Sequence, residues 1–533
     1  MRKSLFSVCI ILAIVIVSCA KKGSITGGLK DTLAPEMRSS LPKNGATNFN
    51  GKEIKLYFNE YVKLKDVSKQ LIVSPPMERK PEVLPYNASK FITIKLKDTL
   101  RPNTTYSFNF GQSIQDNNEG NPINQFKYVF STGSYIDSLT IGAKIKDAIE
   151  VKSPTFVSVM LYEVNDQFND STIYKEVPRY ISNTLDGVAA AKLENLKEGK
   201  YRLIALKDAN NNNKYDPKTD KIGFIKDLVT IPNDTIFELE LFSEQPKFKV
   251  FKPTQVSGNC MVIGYEGNPK DVVVDVTKNG TFVPSTVTKL PKKDSLQVWF
   301  PPMKNDSLAV AVTQNNYKNN FVIKIKDQKK DSLSFSSPTV GDLAFREQFT
   351  INSTTPLVSI DNTKINLLDK DSVKVSFTTR YDNFNQQVLF DFEKQPLQKY
   401  KMQVLPGAFK DFFEHKNDTL NYAFSTRNTS DYGNLRIPLE NINRYPLIVE
   451  ITSDKGEVLE SAYLEKGNSV FFDLIEPKKY TLRIIYDDNK NKVWDAGNYI
   501  EKRQSEEVIY FPKEIDVRAN WDVEQPFDLK IIK

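Results

Sequence analysis

Short segments in which apolar and polar residues alternate recur along the whole chain. Three of them are residues 54–58, 91–96 and 106–110. Apolar side chains at every second position are typical of a strand that buries one face. Asn279-Gly280 lies between two such segments, 272–276 and 281–283, and predicts a two-residue β-hairpin. No long segment has the 3.6-residue periodicity of an amphipathic helix, and only residues 64–71 are predicted to form a helical turn or two. The pattern therefore predicts an all-β protein.

The sequence also repeats itself at long range. The segment YVFST at 128–132 matches YAFST at 422–426, and Tyr106 and Tyr400 are separated by the same offset. A second match relates residues 193–208 to residues 472–487, with the same internal spacing of Tyr and Asp. The simplest explanation is a duplicated pair of β-sandwich domains. The predicted pairs are 35–133 with 134–245 and 346–428 with 429–533, and a further β domain at 246–345 lies between them.

The N-terminus has the features of an export signal. Arg2 and Lys3 precede an apolar run at 5–17, which is too short to span a bilayer comfortably as a helix. The sequence Ile16-Val17-Ser18-Cys19 that follows resembles the lipobox of bacterial lipoproteins, in which the cysteine is acylated after residues 1–18 are removed. The alternative is an ordinary signal peptide with an incidental cysteine. Residues 19–34 contain several glycines and are predicted to be a flexible tether.

A resemblance adds to this organisation. Residues 35–132 resemble the bacterial Ig-like domain first described in surface-layer proteins. The motifs that carry the resemblance are LPKNGA at 41–46, FNE at 58–60, PNTTY at 102–106 and FSTG at 130–133. The whole chain, from GSITGG at 23–28 to VRANW at 517–521, is similar to lipoproteins of Bacteroidota that carry this domain at their N-terminus. The resemblance implies a tandem array of Ig-like and related β-sandwich domains, with Ig-like domains at 35–133 and 346–428.

The resemblance also implies a location and a class of function. The residue directly after Cys19 is Ala20 and not the Asp that would resemble an inner-membrane retention signal. We therefore expect the lipid on Cys19 to hold the protein on the outer membrane, in either leaflet. There the protein is expected to be a non-enzymatic scaffold or accessory subunit of an envelope complex, such as one for outer-membrane protein assembly or secretion. We expect the domains to form an elongated row with envelope proteins as partners. The alternative is a glycan- or ligand-binding lipoprotein, in which Trp299, Trp494 or Trp521 stacks on sugars.

Composition limits the chemistry. The chain has one histidine, His415, which excludes a His-based metal centre and makes a catalytic triad unexpected. Of three cysteines, Cys9 would leave with the signal and Cys19 would be acylated, so Cys260 has no disulfide partner and is interpreted as a core residue. The net charge of +7 comes from interspersed Lys, Arg, Asp and Glu. We therefore expect no nucleic-acid partner, no small-molecule substrate and no enzymatic activity.

Two loops rich in Asp and Asn have the spacing of a calcium-binding loop. Positions 1, 3, 5, 7 and 9 are Asp208, Asn210, Asn212, Lys214 and Asp216 in the first loop, and Asp487, Asn489, Asn491, Val493 and Asp495 in the second. Such a loop can supply the hard oxygen ligands that Ca²⁺ prefers, with a backbone carbonyl from position 7.

Both loops depart from the full calcium pattern. Position 6 is Asn213 or Lys492 instead of Gly, and the Glu at position 12 is replaced by Thr219, next to Asp220, or by Asn498. The alternative is a polar turn whose Asp and Asn side chains bond their own backbone. Calcium is thus a candidate ligand, and no cofactor is certain.

An Asp-Ser/Thr-apolar tripeptide recurs through the chain and resembles the acceptor site of the Bacteroidota envelope O-glycosylation system. The hydroxyl residues are Thr32, Thr99, Ser138, Thr235, Ser295, Ser307, Ser332, Ser372 and Thr419. The alternative is that Asp and Ser close turns before an apolar strand begins.

Overall fold

The structure is a computed structural model that describes residues 31–184 and 188–530. This part of the chain is almost entirely β, as predicted, with two single-turn α-helices, α1 (Val67–Gln70) and α2 (Thr172–Lys175), and 3₁₀ turns at Asn362–Lys364 and Thr429–Asp431. Helix α1 lies within the predicted helical segment 64–71. The signal peptide, Cys19 and most of the tether lie outside the described residues.

The chain divides into two compact units. The first contains the residues up to Ser138 together with Asn195–Lys197, and the second contains Leu139–Glu194 and the residues from Glu198 onward.

The first unit is a β-sandwich. Its strands are β1 (Met37–Leu41), β2 (Glu53–Leu64), β3 (Ile72–Ser74), β4 (Glu82–Leu84), β5 (Ser89–Lys95), β6 (Thr105–Asn109), β7 (Ile114–Asp116) and β8 (Lys127–Ser131). One sheet has the order β1-β2-β5-β4, with β7 also paired to β2, and the other has the order β3-β6-β8. The alternating pattern buries Ile54, Leu56, Ile92 and Ile94 between the sheets, where they join an aromatic cluster around Phe130.

The second unit begins with another sandwich. Its strands are β9 (Leu139–Asp147), β10 (Ser158–Glu163), β11 (Tyr180–Asn183), β12 (Ala190–Leu196), β13 (Gly199–Lys207), β14 (Lys221–Phe224), β15 (Val229–Ile231) and β16 (Ile236–Leu241). One sheet has the order β11-β10-β13-β14, with β15 also on β13, and the other has the order β12-β9-β16. Strand β16 pairs with β9 in parallel.

A third sandwich follows. Its strands are β17 (Lys249–Val250), β18 (Thr254–Ser257), β19 (Cys260–Glu266), β20 (Val273–Lys278), β21 (Thr281–Phe282), β22 (Thr286–Lys289), β23 (Ser295–Trp299), β24 (Asp306–Gln314) and β25 (Tyr317–Ile325). The sheets have the orders β17-β19-β23-β22, with β18 on β19, and β21-β20-β24-β25. The predicted hairpin is present between β20 and β21, and its residues Asn279 and Gly280 both have positive φ, 48° and 81°.

The fourth sandwich starts earlier in the chain than predicted. Its strands are β26 (Phe335–Ser336), β27 (Gly341–Asp342), β28 (Phe349–Ser353), β29 (Leu357–Ile360), β30 (Ile365–Leu368), β31 (Thr378–Asp382), β32 (Gln387–Asp391), β33 (Lys399–Val404), β34 (Phe409–Asp411) and β35 (Leu420–Ser425). The sheets have the orders β26-β28-β32-β31, β27-β35-β33-β30 and β29-β34. Because β26 and β27 pair with strands of this domain, the predicted boundary at 345/346 is wrong and lies before residue 335.

The fifth sandwich completes the chain. Its strands are β36 (Gly433–Glu440), β37 (Leu447–Thr452), β38 (Val458–Leu464), β39 (Ser469–Ile475), β40 (Lys478–Tyr486), β41 (Val508–Tyr510), β42 (Ile515–Val517), β43 (Asp522–Glu524) and β44 (Phe527–Asp528). The sheets have the orders β38-β37-β40-β41, with β42 on β40, and β39-β36-β43, with β44 on β36.

The predicted duplication is confirmed by topology and by individual hydrogen bonds. The fifth sandwich repeats the strand order of the second, including a parallel partner for its first strand, β43 on β36. The fourth repeats the first: the Tyr106 hydroxyl oxygen accepts the amide N–H of Arg101 at 2.9 Å, and the Tyr400 hydroxyl oxygen accepts that of Gln395 at 2.8 Å. The chain therefore contains two copies of an Ig-like domain followed by a second type of sandwich.

Candidate functional sites

The first Asp/Asn-rich loop follows strand β13 and folds as a series of turns closed by side chains. Asp208 Oδ2 accepts the Asn213 N–H at 2.6 Å, and Asn213 has the positive φ of 58° expected at position 6. The remaining bonds of this kind join Asp208 to Asn210 N–H, Asn212 to Lys214 N–H and Asp216 to Lys218 N–H. The predicted ligand oxygens therefore already organise the backbone of the loop.

The second loop follows strand β40 and has the same geometry. Asp487 is fully buried, and its Oδ2 accepts the Lys492 N–H at 2.9 Å. Lys492 adopts a φ of 69°, although a left-handed backbone is unfavourable for lysine. The side-chain amides of Asn489 and Asn491 donate to Asp495 Oδ2 at 2.5 and 2.6 Å. The Asn491 side-chain oxygen Oδ1 also accepts the Val493 N–H at 2.9 Å.

A carboxylate that lies beyond each predicted loop holds its two ends together. Asp220 accepts the N–H of Ala209 at 3.0 Å and that of Asp216 at 2.8 Å. Glu506 accepts from Asp488 at 2.9 Å and from Asp495 at 3.0 Å, which are the equivalent positions of the second copy. Burial, together with the nearby charge of Asp495, raises the pKa of Glu506. Asp220 could be found from the sequence, because it lies next to position 12 of the calcium pattern. Glu506 could not be found in this way, because it lies too far along the chain from its loop.

The loops offer oxygen atoms in the order that calcium requires, with Lys214 and Val493 at the carbonyl position. A lone pair remains on each oxygen that accepts a single N–H, such as the two carboxylate oxygens of Asp208, whereas Asp495 Oδ2 already accepts two amides. Within residues 31–184 and 188–530, however, no three His, Cys, Asp or Glu side chains are grouped so as to hold a metal ion. An ion would depend on asparagine and backbone oxygens, and calcium binding stays a prediction.

The second loop contains seven more residues than the first, and these contact the other sandwich of the same type. Three residues separate Asp216 from Asp220, whereas ten separate Asp495 from Glu506. We call these ten residues, 496–505, the docking loop. The sequence contained no signal for this contact, because the partner surface is more than 250 positions away.

Tyr499 is the centre of the docking loop. Its side chain is fully buried and packs edge-on against Phe224, with ring centroids 5.3 Å apart. Tyr174 lies on another side of the ring, with centroids 6.5 Å apart. The Tyr499 amide donates to Glu244 Oε1. Gly497 is required at its position, because a Cβ there would come within 2.4 Å of the Phe242 ring.

Polar bonds surround this aromatic contact. Lys502 Nζ lies 2.6 Å from Asp170 Oδ1, and Gln504 Nε2 donates to the Phe224 carbonyl at 2.9 Å. At a separate point, the Tyr510 hydroxyl donates to the Ile149 carbonyl. The first and last sandwiches of the second unit are therefore joined. The expectation of a row in which each domain contacts only its chain neighbours is wrong for this unit.

The candidate glycosylation sites are mostly accessible. Eight of the nine hydroxyl residues are exposed, and only Ser295 is half-buried. If the aspartates closed turns, each carboxylate should accept the N–H two residues later. Among these nine tripeptides, all within the described residues, only Asp31 does so, bonding Leu33 N–H at 2.9 Å. Turn closure by the aspartate side chain therefore explains only the tripeptide that begins at Asp31. Glycosylation at the other tripeptides stays a prediction.

The residues considered for catalysis have structural roles. Cys260 is fully buried in strand β19, and burial raises the pKa of its thiol. His415 Nδ1 lies 3.1 Å from Asp411 Oδ2, in a turn where Asp411 also accepts the N–H groups of Phe413 and His415.

The three tryptophans differ in accessibility. Trp299 is buried and donates to Thr288 Oγ1 at 2.9 Å, and Trp494 is half-buried and donates to the Glu506 carbonyl at 3.1 Å. Trp521 is 57% exposed, with the Arg518 guanidinium 5.3 Å from its ring centroid. Of the three, Trp521 has the ring most available for stacking on a ligand.

Comparison with known proteins identifies the first domain. Residues 31–132 match the bacterial Ig-like domain family. No curated protein matches the chain. In the described part of the chain, no helix has the length and apolar character needed to cross a bilayer.

Several solved structures align with this chain at low identity. The S-layer protein SbsC aligns over 91% of this chain and 67% of its own, with 10% identity and a TM-score of 0.15. The BSP domain of a biofilm associated protein aligns over 76% of this chain and 99% of its own, with 12% identity and a TM-score of 0.15. A titin fragment aligns over 34% and 97%, with 12% identity and a TM-score of 0.15. At this level of similarity nothing known of those proteins is carried over to this chain.

Proposed function

We propose that the chain is a non-enzymatic lipoprotein, anchored to the outer membrane through Cys19, that acts as a scaffold or accessory subunit of an envelope protein complex. The observation that carries the proposal is the docking loop. By joining the first and last sandwiches of the second unit, it holds surfaces from distant parts of the chain at a fixed spacing. A protein that positions partners needs such a fixed spacing, whereas independent domains on linkers would not provide it.

The chemistry of the described residues supports a binding role. The single histidine is bonded within a turn, the described cysteine is buried, and the paired carboxylates of the two loops bond backbone amides. These groups serve the fold, and partner contact would come from loops and sheet faces.

Partner recovery tests the scaffold. The native protein with a C-terminal tag is purified from gently solubilised outer membranes, and the proteins that accompany it are identified by mass spectrometry. We expect the same envelope proteins in repeated preparations. Gly497→Leu, which would collide with Phe242, should reduce their recovery. Ile500→Leu, at an exposed position of the same docking loop, is the matched control and should not. Recovery of a lone monomer would contradict the proposal.

The anchor has its own test. Intact mass of the native protein should correspond to a chain that begins at Cys19 and carries acyl groups. A Cys19→Ser variant should lose the acyl mass and leave the membrane fraction. A native mass that equals the unmodified polypeptide would refute the anchor.

The second candidate function is binding of a surface glycan, which the exposed ring of Trp521 favours. An exposed aromatic face can stack on the apolar C–H face of a sugar ring. A glycan array with the wild-type protein and with Trp521→Ala tests this function. Binding that the variant retains would exclude Trp521 as the contact.

A further inference from the structure

The first Ig-like domain exposes apolar side chains at the end where the chain enters it. We call this group the entry-end patch. It consists of Leu33, Tyr57, Tyr61, Tyr86 and Phe91, with exposed fractions of 73, 37, 57, 83 and 44%. Isolated exposed apolar residues are ordinary, but a group of five at one end of a small domain is typical of a contact surface.

The strand register brings these residues together. Tyr57 and Phe91 are direct partners across β2 and β5, with ring centroids 6.0 Å apart. Tyr61 lies further along β2, where the Lys90 ammonium is 5.4 Å from its ring centroid. Tyr86 lies in the turn between β4 and β5.

The incoming chain lies at the same end. The Glu36 N–H donates to Asn59 Oδ1 at 2.8 Å, and Asn121 Nδ2 donates to the Asp31 carbonyl at 3.0 Å. Residues 31–36, which include Leu33, therefore run beside the part of β2 that carries Tyr57 and Tyr61.

The duplicated domain shows that the fold does not need these aromatics. In the second Ig-like copy, the cross-strand pair equivalent to Tyr57 and Phe91 is Asn352 and Gln387. The position equivalent to Tyr61 is Pro356. In the first copy the Tyr61 carbonyl accepts the Asn117 N–H, and in the second copy the Pro356 carbonyl accepts the Phe412 N–H. Aromatic residues at these three positions are therefore specific to the first copy.

The second copy also shows what this end of the domain contacts. Its hairpin turn between β31 and β32 packs on the preceding sandwich, with the Lys289 N–H donating to the Phe384 carbonyl at 2.7 Å. Phe413 at the same end packs against Trp299 of that sandwich. In the second copy, the end of the domain that receives the chain thus rests on the sandwich that precedes it. In the proposed lipoprotein, residues 20–30 and the acylated Cys19 precede the first copy, and they span about 40 Å at most.

From this geometry we propose that the entry-end patch rests on the lipid surface that holds the anchor, with its aromatic rings in the headgroup region. The inference rests on the proposed function. Tyrosine rings have an apolar body and a polar tip, which is why they concentrate at membrane interfaces. Charged side chains of both signs lie close by. Burial, and then the charges of Asp116, Asp31 and Glu119, raise the pKa of Glu60, while the Lys90 ammonium lies over the Tyr61 ring. We therefore assign the contact to the rings and not to attraction for anionic lipid.

Vesicle binding by the unacylated protein tests the inference. The polypeptide from residue 19 with Cys19→Ser retains every residue that the structure describes, and it is mixed with phosphatidylethanolamine and phosphatidylcholine vesicles and sedimented. We expect binding that persists in 0.5 M salt, since screening affects charges but not apolar burial. Tyr57→Asn with Phe91→Gln, which introduces the residues of the second copy, should raise the apparent Kd about tenfold or more. Phe471→Gln, an exposed aromatic of the fifth sandwich, is the control and should change the Kd less than about twofold.

Several outcomes would overturn the inference. They are an absence of vesicle binding by the wild type, equal binding by the double variant, and binding that salt abolishes. Co-purification of a protein through Tyr57 and Phe91 without vesicle binding would assign the patch to a protein partner instead. A Tyr86→Trp reporter, whose emission should shift to the blue on vesicles, gives an answer even if the double variant unfolds. Because acylation is measured separately by mass, failure of the anchor and failure of the patch can be distinguished.

Discussion

Removal of the Tyr499 side chain should separate two sandwiches without unfolding either. The ring is fully buried between Phe224 and Tyr174, yet it is not part of the core of the fifth sandwich, which lies between β36 and β40. Truncation of a buried aromatic to alanine costs about 3–5 kcal/mol. Since its neighbours belong to the other sandwich, nearly all of this loss should fall on the contact between the domains.

Hydrogen exchange measured by mass spectrometry reports this loss directly. In Tyr499→Ala, amides of the docking loop and of β14 should exchange faster, by about 150-fold for a loss of about 3 kcal/mol, while amides in the centres of β37 and β40 keep their protection. Tyr499→Phe is the matched control. It removes only a hydroxyl that lies 3.5 Å from Asp170 Oδ1, so its effect should stay below about 1 kcal/mol.

Two results would refute this reasoning. Unchanged exchange in the alanine variant would mean that other contacts alone hold the sandwiches together. Loss of protection throughout the fifth sandwich would mean that the docking loop is part of that domain's own stability. In either case the loop would not be the joint between the domains.

Three further predictions concern the loops and the tripeptides. If each loop binds Ca²⁺ with a Kd of about 10⁻⁴ M, 1 mM Ca²⁺ should stabilise the protein in thermal melts by about 1.4 kcal/mol for each occupied loop, and Asp208→Ala should remove the gain from the first loop; no shift relative to Mg²⁺ would contradict calcium binding. Because the pKa of Glu506 is raised in the folded state, the folded state binds the carboxyl proton more tightly than the unfolded state does. Protonation of Glu506 therefore stabilises the fold at low pH, and this contribution is lost as the pH rises through the folded pKa. The free energy of unfolding of Glu506→Gln, measured in urea from about pH 4 to pH 7, should lack this decline. A pH profile parallel to that of the wild type would contradict a contribution from Glu506. Intact mass of the native protein should show sugar increments, of which Ser307→Ala removes one and Ser295→Ala none; a mass without increments would exclude glycosylation.

Local sequence pattern was sufficient for most of the fold. Alternation located β5 and β6 within two residues and found the start of β2, but missed its continuation from residue 59 to residue 64. Positive φ at Asn279 and Gly280 confirms the hairpin signal. The duplication was visible because Tyr106 and Tyr400 fill the same structural position in each copy. The boundary before β26 was missed because strands of two residues carry no periodicity.

Contacts between distant segments could not be predicted in this way. Tyr499 and Gly497 have no local feature that indicates burial, since the rings they meet belong to a domain far away in sequence. The insertion that creates the docking loop also moves Glu506 away from position 12 of the calcium pattern, where a carboxylate is expected. At the entry-end patch, Tyr57 and Phe91 occupy outward-facing positions of well-predicted strands, and only comparison with Asn352 and Gln387 shows that they are unusual.

The docking loop also imposes an order of events on the newly made chain. The surface around Phe224 is complete long before its cover exists, because Tyr499 is synthesised 275 residues later. At about 5–20 residues per second, that interval lasts roughly 15–55 s, during which an apolar patch of a finished domain stays open to other chains. We therefore expect release of the C-terminus to be the step that protects the nascent protein from aggregation, and truncations before residue 496 to depend most on chaperones.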